Sequence, residues 1–486
     1  MENGVYKVIA ATGIPLCDED LKKQSDFIVQ TCNLKTQLPQ LVEEFEPQII
    51  VVSDQISGEE NLIKMILDLK NKYHYIRFIY LAGNVDAKDT SRFDALGMLV
   101  LVGIYDIVIS STINIDLIMD AIENPKKEQS VMYLTKNLLT EKHEIENSIG
   151  GLNYETYDTE ENQELVIPNL FTFGSVKPGT GKSFLSVNTA CAIAAYGKAK
   201  KDGSKPKVAL VEADMQTLSI GTLLSIDEKK GSLKTVMESV STIFEKGSLI
   251  DDMEKRKKVN KTIKNCMVPY GGLSNLHVLV GSSLTPEELD MLSIIPEYFT
   301  YIIDVLKDEY DYIIIDTNSS IFHVSSFAIL RRAKTCFYIL NLDFNNIRNN
   351  LRYANTLKDI GIFQKVKYIL NENIANTKEF YGLGVNIEEL NFTADDIEKK
   401  YFDLIAKIPS LPKTIFLNRL YEGRPVVLDK NSVEYTNKTK LELLKVANGI
   451  CELNDEYSKL KDIVENEGKK NFNLKGIFGK KRNKKE

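Results

Sequence analysis

The stretch FTFGSVKPGTGKS, residues 171–183, determines how the rest of the chain is interpreted. An apolar run at Leu165–Phe173 predicts a buried strand, and the apolar spacing from Lys182 onward predicts a helix. Between them, Gly179 and Gly181 stand in a polar turn, where a Cβ would keep an anion away from the backbone. A strand, a glycine loop and a helix in this order form a phosphate cradle, because the loop amides and the positive helix N-terminus point into it.

The residues that close the loop indicate which phosphate compound it holds. Lys182 is placed to reach the β- and γ-phosphates, and the Ser183 hydroxyl to bind magnesium, so the expected ligand is a nucleoside triphosphate with Mg²⁺. The pattern G-x-x-x-x-G-K-[ST] is missed by one residue, because Val176 occupies the position of its first glycine. A glycine turn that precedes a helix by chance remains the structural alternative.

Two further strands end in acidic residues. The run YDYIIID at Tyr310–Asp316 has the form of a Walker B strand, whose aspartate holds magnesium opposite Ser183. The run KVALV at Lys207–Val211 is followed by Glu212, Ala213 and Asp214. A carboxylate just beyond a parallel strand lies at the edge where such sheets bind ligands. For Asp214, a helix-capping role is the alternative.

Taken together, these motifs resemble the ParA/MinD superfamily of P-loop ATPases over roughly residues 165–450. Its deviant Walker A pattern, K-G-G-x-G-K-[ST], corresponds to Lys177–Ser183, with Pro178 in place of one glycine. The resemblance implies that Lys177 reaches the ATP of a partner protomer and that Asp214 orients the attacking water. It also implies the remaining nucleotide contacts, which are Pro178, Gly179, Thr180, Gly181, Lys182, Ser183 and Phe184 at the phosphates and Asn371 and Pro409 at the adenine.

Residues 1–122 predict a separate α/β domain. Short β-branched runs predict strands at Tyr6–Ala11, Gln48–Ser53, Ile76–Ala82 and Tyr105–Ile109, with amphipathic segments between them. The layout resembles a receiver domain with the flavodoxin-like fold. The acids that bind metal in a receiver are replaced by Ala11-Thr12-Gly13, so Asp54 is a minor candidate for phosphorylation, and the domain is interpreted as a docking module.

The predicted fold class is therefore α/β: a receiver-like domain, then a P-loop NTPase domain at residues 165–465 whose mostly parallel sheet is flanked by helices. Residues 123–164 are polar and acidic and predict a linker. Residues 466–486 form a basic tail with interleaved apolar residues. Weak contact with a membrane surface or a nucleic acid is one interpretation of this tail, and a disordered solubilising end is the other.

Composition narrows the class of protein. A chain of 486 residues is too long for one ordinary domain, and 43% hydrophobic residues can bury sizeable cores. The net charge of -7 argues against a surface that coats nucleic acid throughout. The 6 cysteines are scattered, which predicts a reducing compartment and no disulfide frame. With no signal-peptide pattern, we expect a cytoplasmic protein, with peripheral attachment at the inner face of the cell membrane as a variant.

The domain combination is most similar to the TadZ/CpaE group, which positions type IV (Tad/Flp) pilus or secretion machinery. That resemblance implies slow ATP hydrolysis with Mg²⁺, a homodimer in the ATP state, and a protein partner bound through the receiver-like domain. Three alternatives stay open: a plasmid or mobile-element partitioning ATPase, a scaffold that hydrolyses ATP weakly, and a bacterial-type tyrosine kinase, whose loop resembles Pro178–Ser183. A basic set could face non-specific DNA in a dimer or simply be solvated: Arg331, Arg332, Lys334, Arg348 and Arg352.

Overall fold

The computed structural model describes eleven ranges of the chain: 6–85, 89–110, 112–135, 166–215, 218–245, 247–282, 284–321, 323–359, 361–373, 393–429 and 434–466. The predicted basic tail lies outside these ranges except for residue 466, and so does the predicted linker from residue 136 onward. No helix among the described residues combines the length and the apolar character needed to cross a membrane.

The N-terminal domain contains a five-stranded parallel sheet with the order β2-β1-β3-β4-β5. Its strands are β1 Val8–Ala11, β2 Ile28–Thr31, β3 Ile49–Ser53, β4 Arg77–Gly83 and β5 Asp106–Ile109. Four of them match the sequence prediction within a few residues, and β2 was not predicted. Every residue of β1 and β3 is buried, as expected for strands covered by helices on both faces.

Five helices connect and cover these strands: α1 Pro15–Gln24, α2 Leu38–Phe45, α3 Leu62–Lys72, α4 Thr90–Leu101 and α5 Ile115–Glu123. Three of them begin where a short polar side chain accepts a hydrogen bond from the amide three residues later. These capping residues are Asn61, Asp89 and Asn114. Such caps satisfy an amide that otherwise has no partner in the first helical turn.

The second domain is organised by an eight-stranded sheet with the order β10-β11-β7-β12-β6-β13-β14-β15. Only the β10-β11 pair is antiparallel among these neighbours. The strands are β6 Ile167–Gly174, β7 Val208–Glu212, β10 Val268–Tyr270, β11 Leu273–Leu279, β12 Tyr312–Asp316, β13 Ala333–Leu340, β14 Val366–Asn373 and β15 Leu404–Pro409, and β8 Phe244–Glu245 and β9 Ser248–Leu249 form a separate hairpin. The order places β6, which carries the glycine loop, next to β12, with β7 beyond it.

Helices lie between these strands along the chain: α6 Lys182–Tyr196, α7 Ile220–Leu224, α8 Leu233–Ser241, α9 Met253–Cys266, α10 Pro286–Leu292, α11 Pro296–Leu306, α12 Ser326–Arg332, α13 Phe344–Asp359, α14 Ala394–Lys400, α15 Lys413–Glu422 and α16 Glu434–Asn448. A last helix spans residues 455–466. The helix α6 is buried along most of its length, which suits its place directly after the central strand.

The structure corrects the predicted beginning of the linker. Residues 128–135, assigned to the linker on composition, form two short 3-10 turns at Glu128–Ser130 and Met132–Thr135. Val131 and Leu134 are buried in the main apolar cluster. Two apolar side chains in a polar stretch are enough to anchor it, because a neighbouring helix, α4, offers an apolar surface.

The two domains pack against each other at the amino-terminal edge of the first sheet. Lys70 at the end of α3 forms a buried ion pair with Glu297 in the first turn of α11. Asp304 Oδ2 accepts a hydrogen bond from the Tyr75 hydroxyl at 2.5 Å. The same oxygen lies 3.2 Å from His74 Nε2. Aromatic rings of both domains continue this contact. One apolar cluster therefore runs through both domains.

Candidate nucleotide site

The glycine loop turns sharply between β6 and α6, as the sequence predicts. Gly179 and Gly181 have positive φ values of 75° and 93°, which residues with a side chain rarely adopt. A Cβ on Gly181 would lie 2.2 Å from the Asn371 side-chain amide, whereas one on Gly179 would meet nothing within 4 Å. Gly181 is therefore required for space as well as for backbone conformation, and Gly179 for conformation alone.

Lys182 points into the site and already has a partner there. The residue is 7% exposed, and its Nζ donates to Ser319 Oγ at 2.9 Å. Ser319 Oγ lies 3.2 Å from Ser175 Oγ at the start of the loop. Ser319 is not among the predicted site residues, because a serine in a polar loop has no distinguishing sequence pattern. Its hydroxyl occupies a place where a charged ligand group could bind Lys182 instead.

Ser183 and Asp316 lie together, and their geometry fits a divalent cation. Ser183 Oγ donates to Asp316 Oδ2 at 2.5 Å, and Asp316 is almost fully buried. Its Oδ1 has no hydrogen-bond partner among the described residues, which is costly for a buried carboxylate. Burial, together with the carboxylates of Glu212 and Asp214, raises the pKa of Asp316 to about 7. A hydroxyl and a carboxylate with an unused oxygen are ligands that Mg²⁺ prefers.

Asp214 follows β7 and lies next to the loop that follows β12. It is 3% exposed, and its Oδ1 accepts a hydrogen bond from Asn318 Nδ2 at 2.9 Å. Its neighbour Ala213 donates its amide to Asp316 O at 2.9 Å. The adjacent sheet positions of β7 and β12 thus bring both aspartates to the same edge, as expected for parallel strands.

Glu212, by contrast, is used for local structure. Its two carboxylate oxygens accept backbone amides from Ser219, Ile220 and Gly281 at 2.5, 2.9 and 2.8 Å. Burial raises the pKa of Glu212, and these three amide hydrogen bonds oppose the rise. The side chain fixes the chain after β7 and after β11.

Lys177 lies at the rim of the loop and pairs within its own chain. Its Nζ is 2.6 Å from Asp343 Oδ2, and the two side chains are 51% and 37% exposed. Pro178 follows it and removes one amide donor from the cradle. Phe184, the next residue after Ser183, packs its ring 6.0 Å from that of Phe416 in α15.

The residues predicted to contact adenine lie at the same sheet edge. Asn371 is buried near the end of β14, and its Nδ2 donates to the Thr180 carbonyl at 2.8 Å. Pro409 ends β15 and pairs in register with Asn373. The structure thus brings Asn371 against the glycine loop, and its contact with a base stays a prediction.

The predicted basic patch is corrected in part. Arg332 is 7% exposed and donates to Asp304 Oδ1 at 2.5 Å and to the Thr300 carbonyl at 3.0 Å, so it belongs to the protein interior. Arg331 lines the cleft between the domains. The prediction that Arg332 belongs to a DNA-facing or solvated surface is therefore wrong.

The minor phosphorylation candidate, Asp54, lies just beyond β3. Its carboxylate pairs with the Arg92 guanidinium and accepts a hydrogen bond from the Tyr80 hydroxyl. A cleft beside it is lined by residues from the carboxyl ends of the strands, Lys35 and Asn84 among them. The aspartate is therefore tied to its own domain by an ion pair.

Comparison with known proteins agrees with this assignment of the glycine loop. Residues 169–344 match the model of the AAA domain family. An uncharacterised ATP-binding protein of Methanocaldococcus jannaschii is 27% identical over 191 residues, which are 38% of this chain and 56% of that protein. The chain thus spans about half the length of this curated relative. The matched residues span most of the largely parallel sheet of the second domain, from β6 to β13.

Solved structures with similar folds include a ParA family ATPase from Chlorobium tepidum, with 19% identity, a TM-score of 0.43, and coverage of 58% of this chain and 98% of that one. The septum site-determining protein MinD from Pyrococcus horikoshii, complexed with Mg-ADP, has 19% identity and a TM-score of 0.41. That match covers 58% of this chain and 95% of the archaeal protein.

Proposed function

We propose that this protein is an ATPase of the ParA/MinD type that binds ATP with Mg²⁺, dimerises in the ATP state and hydrolyses ATP slowly. The observation that carries the proposal is the convergence of Lys182, Ser183, Asp214 and Asp316 at one sheet edge, with Asp316 Oδ1 lacking a partner among the described residues. The match of residues 169–344 to an AAA domain supports the nucleotide.

Different residues of this chain would have different roles in phosphoryl transfer. The loop amides and Lys182, once it leaves Ser319, would neutralise the phosphates, and Ser183 with Asp316 would hold magnesium. Bound magnesium supplies charge neutralisation on the phosphate oxygens. Asp214, fixed by Asn318, would orient the attacking water, so that catalysis consists of positioning and electrostatic stabilisation.

Dimerisation rests on Lys177. In the ParA/MinD resemblance, the matching lysine reaches the nucleotide of a second protomer, and here the side chain is half exposed at the loop rim. ATP would join two protomers and hydrolysis would release them, which makes the protein a switch. Following the TadZ/CpaE resemblance, we propose that the receiver-like domain docks a partner and that the switch positions a pilus or secretion apparatus. Partitioning of DNA elements is the alternative cargo.

A second candidate function is an ATP-binding scaffold with very weak hydrolysis. Asp214 already accepts a hydrogen bond from Asn318, and Pro178 removes one amide from the cradle. If these contacts persist with ATP bound, dimers would form without turnover.

The test is molar mass by light scattering with ATP, with ADP and without nucleotide, while phosphate release is followed. Native protein is compared with Lys177→Ala and with Lys459→Ala, a matched exposed lysine in the C-terminal helix. Doubling of mass that requires ATP and Lys177, with slow phosphate release, supports the switch. Doubling without release supports the scaffold. A mass unchanged by ATP would contradict both, and a phosphotyrosine blot after incubation with ATP would then test the kinase alternative.

A further inference from the structure

The loop that follows β12 makes contacts in two directions. We call residues 317–321 and 323–325 the bridging segment. Its first half contacts the nucleotide site: Thr317 donates its amide and hydroxyl to the Phe173 carbonyl at 3.0 and 2.9 Å. The next two residues, Asn318 and Ser319, hold Asp214 and Lys182 as described above. A change in the path of this half would move the Asn318 amide that holds Asp214.

The second half of the bridging segment also reaches the strand that carries Asp214. Ser325 is fully buried, and its Oγ donates to the Ala213 carbonyl at 3.0 Å. The His323 Nδ1 lies 2.7 Å from the same Oγ. The backbone before Asp214 is therefore fixed by Ser325, which His323 holds in turn, while the Asp214 side chain is fixed by Asn318.

The outer side of this second half lies against the N-terminal domain. Only a narrow crevice lies between the two surfaces. The N-terminal domain contributes Val100, Leu101, Val102, Tyr105 and Glu128 to its lining, and the bridging segment contributes Ile321, His323 and Val324. Most of these side chains belong to, or pack on, the cluster that runs through both domains. The bridging segment thus contacts the nucleotide site on one side and faces the other domain across this crevice on its opposite side.

Charged contacts fix how the N-terminal domain sits on this surface. Lys70 Nζ donates to the carbonyls of His74 and Ile76 and pairs with Glu297, and both charged side chains are less than 10% exposed. Breaking such a buried pair would leave an uncompensated charge, so the pair favours the docked arrangement of its two elements. Arg332, at the end of α12, donates to Thr300 and Asp304 of α11. Docking of the N-terminal domain on α11 therefore also bears on the position of α12 and of the bridging segment that precedes it.

We propose that the N-terminal domain sets the position of Asp214 through the bridging segment, with His323 and Ser325 as positioning residues. The inference rests on the proposed ATPase function and assigns its regulation. With the domain docked, the segment is supported on both sides, and Asp214 is held in one orientation. When the domain detaches, the segment loses its outer support, Asp214 becomes mobile, and turnover falls while nucleotide affinity is kept. A protein bound to the N-terminal domain would act on hydrolysis by this route.

The test uses the full chain and two kinds of variant. Glu297→Lys places a second positive charge beside Lys70 and should detach the domain, while Glu287→Lys makes the same charge change at an exposed position of α10 and is the control. Ser325→Ala removes the contact with Ala213 and leaves the domain contact intact, and Ser325→Thr should restore the hydroxyl. Circular dichroism melts confirm that each variant is folded.

We expect Glu297→Lys to lower kcat about tenfold and Ser325→Ala about fivefold, with the Kd of a fluorescent ATP analogue changed less than about twofold in both. Ser325→Thr should recover at least about half of the lost kcat. Native kcat in Ser325→Ala, or a kcat raised by detachment, would overturn the proposal. A Kd that rises in step with the loss of kcat would do so too, because it would indicate general disruption of the site.

If the native protein releases no phosphate, the proposed ATPase function is refuted. Hydrogen exchange then still tests whether the N-terminal domain controls the mobility of the Asp214 segment. In Glu297→Lys, amides of the bridging segment and of residues 208–215 should exchange about threefold faster or more, as should residues 100–105. Faster exchange at 100–105 with unchanged exchange in the bridging segment would show that docking and site are uncoupled. If residues 100–105 stay protected in Glu297→Lys, the domain has not detached, and Ser325→Ala becomes the test. In that variant the exchange rate of residues 208–215 must rise, and an unchanged rate would overturn the proposal.

Discussion

Lys177 Nζ lies 2.6 Å from Asp343 Oδ2, so the lysine expected to act on a second protomer is paired within its own chain. The hydrogen bond from Lys177 holds the pKa of Asp343 below its ordinary value. Both side chains are partly exposed to solvent, and exposed ion pairs contribute between about 0 and 1 kcal/mol. The lysine is therefore restrained only weakly and can exchange its carboxylate for a phosphate.

Asp343→Asn should strengthen ATP-dependent dimerisation, because it removes the competing charge. Asn keeps the side-chain oxygen that accepts the Asn345 amide at 2.9 Å and so preserves the start of α13. We expect the dimer dissociation constant with ATP to fall about two- to fivefold, in line with the small energy of an exposed pair. Sedimentation at graded protein concentrations measures it. Weaker dimerisation in Asp343→Asn would mean that the aspartate supports the dimer instead.

Ser183→Ala should weaken the dependence of nucleotide binding on magnesium. Native protein should bind a fluorescent ATP analogue at least about tenfold more tightly with Mg²⁺ than with EDTA, and the variant should lose most of this difference. Ser186→Ala, on the same helix and donating to the Ser183 carbonyl at 3.1 Å, is the matched control. Equal effects of both substitutions would argue against metal ligation by Ser183.

The two loop glycines should differ in their response to alanine. Gly179→Ala adds only the cost of a positive φ, about 1–2 kcal/mol. Gly181→Ala adds the same cost, and it also displaces Asn371 from the Thr180 carbonyl, which adds about 1–3 kcal/mol for a buried group left without its partner. Chemical denaturation measures both. The double variant Gly181→Ala, Asn371→Ala should be more stable than Gly181→Ala alone, and a less stable double variant would contradict the clash.

Glu128 should make the free energy of unfolding depend on pH. Burial raises the pKa of Glu128 to about 7, well above its ordinary value, so its ionised form is disfavoured in the folded state. The folded state therefore binds the extra proton between about pH 4.5 and 7, and stability falls as pH rises through this window. Above pH 7, Glu128→Gln should raise the free energy of unfolding by about 3 kcal/mol, and below about pH 4.5 the substitution should leave it unchanged.

Urea denaturation at pH 8 and pH 4.5 tests this expectation. Glu123→Gln, an exposed glutamate at the end of α5, serves as the control. If Glu128→Gln raises the free energy of unfolding equally at both pH values, the stabilisation does not come from the titration of Glu128.

Much of the second domain could be predicted because its signals are local. The glycine loop, Lys182 and the strand that ends at Asp316 each require a particular residue at a particular place, and the structure puts them there. Ser319 escaped prediction because a serine in a polar loop has no distinguishing pattern, and its value comes only from the sheet order that brings β12 beside β6. The role of Glu212 was hidden for the same reason, since its amide donors lie 7 to 69 residues away.

The contact between the domains was beyond the reach of sequence patterns. Lys70 and Glu297 are separated by 227 residues in the sequence. The local pattern around each of them predicts a charged side chain on the exposed face of an amphipathic helix. Arg332 was predicted as part of a basic surface, because composition cannot distinguish an exposed arginine from one that a distant aspartate neutralises. Residues 128–135 were placed in the linker, since two apolar residues in a polar stretch give no periodic signal.

The ion pair of Asp54 with Arg92 has a consequence for how the N-terminal domain can receive information. Each carboxylate oxygen of Asp54 has one of these partners, so a phosphoryl group added at either oxygen would have to displace the guanidinium or the Tyr80 hydroxyl. These contacts oppose covalent modification of Asp54 and favour regulation by a partner bound at the surface of the domain, as proposed above. Under the proposed function, a partner bound to the N-terminal domain would specify location, whereas ATP binding and hydrolysis in the second domain would set the lifetime of the dimer, so the two inputs would enter through different domains.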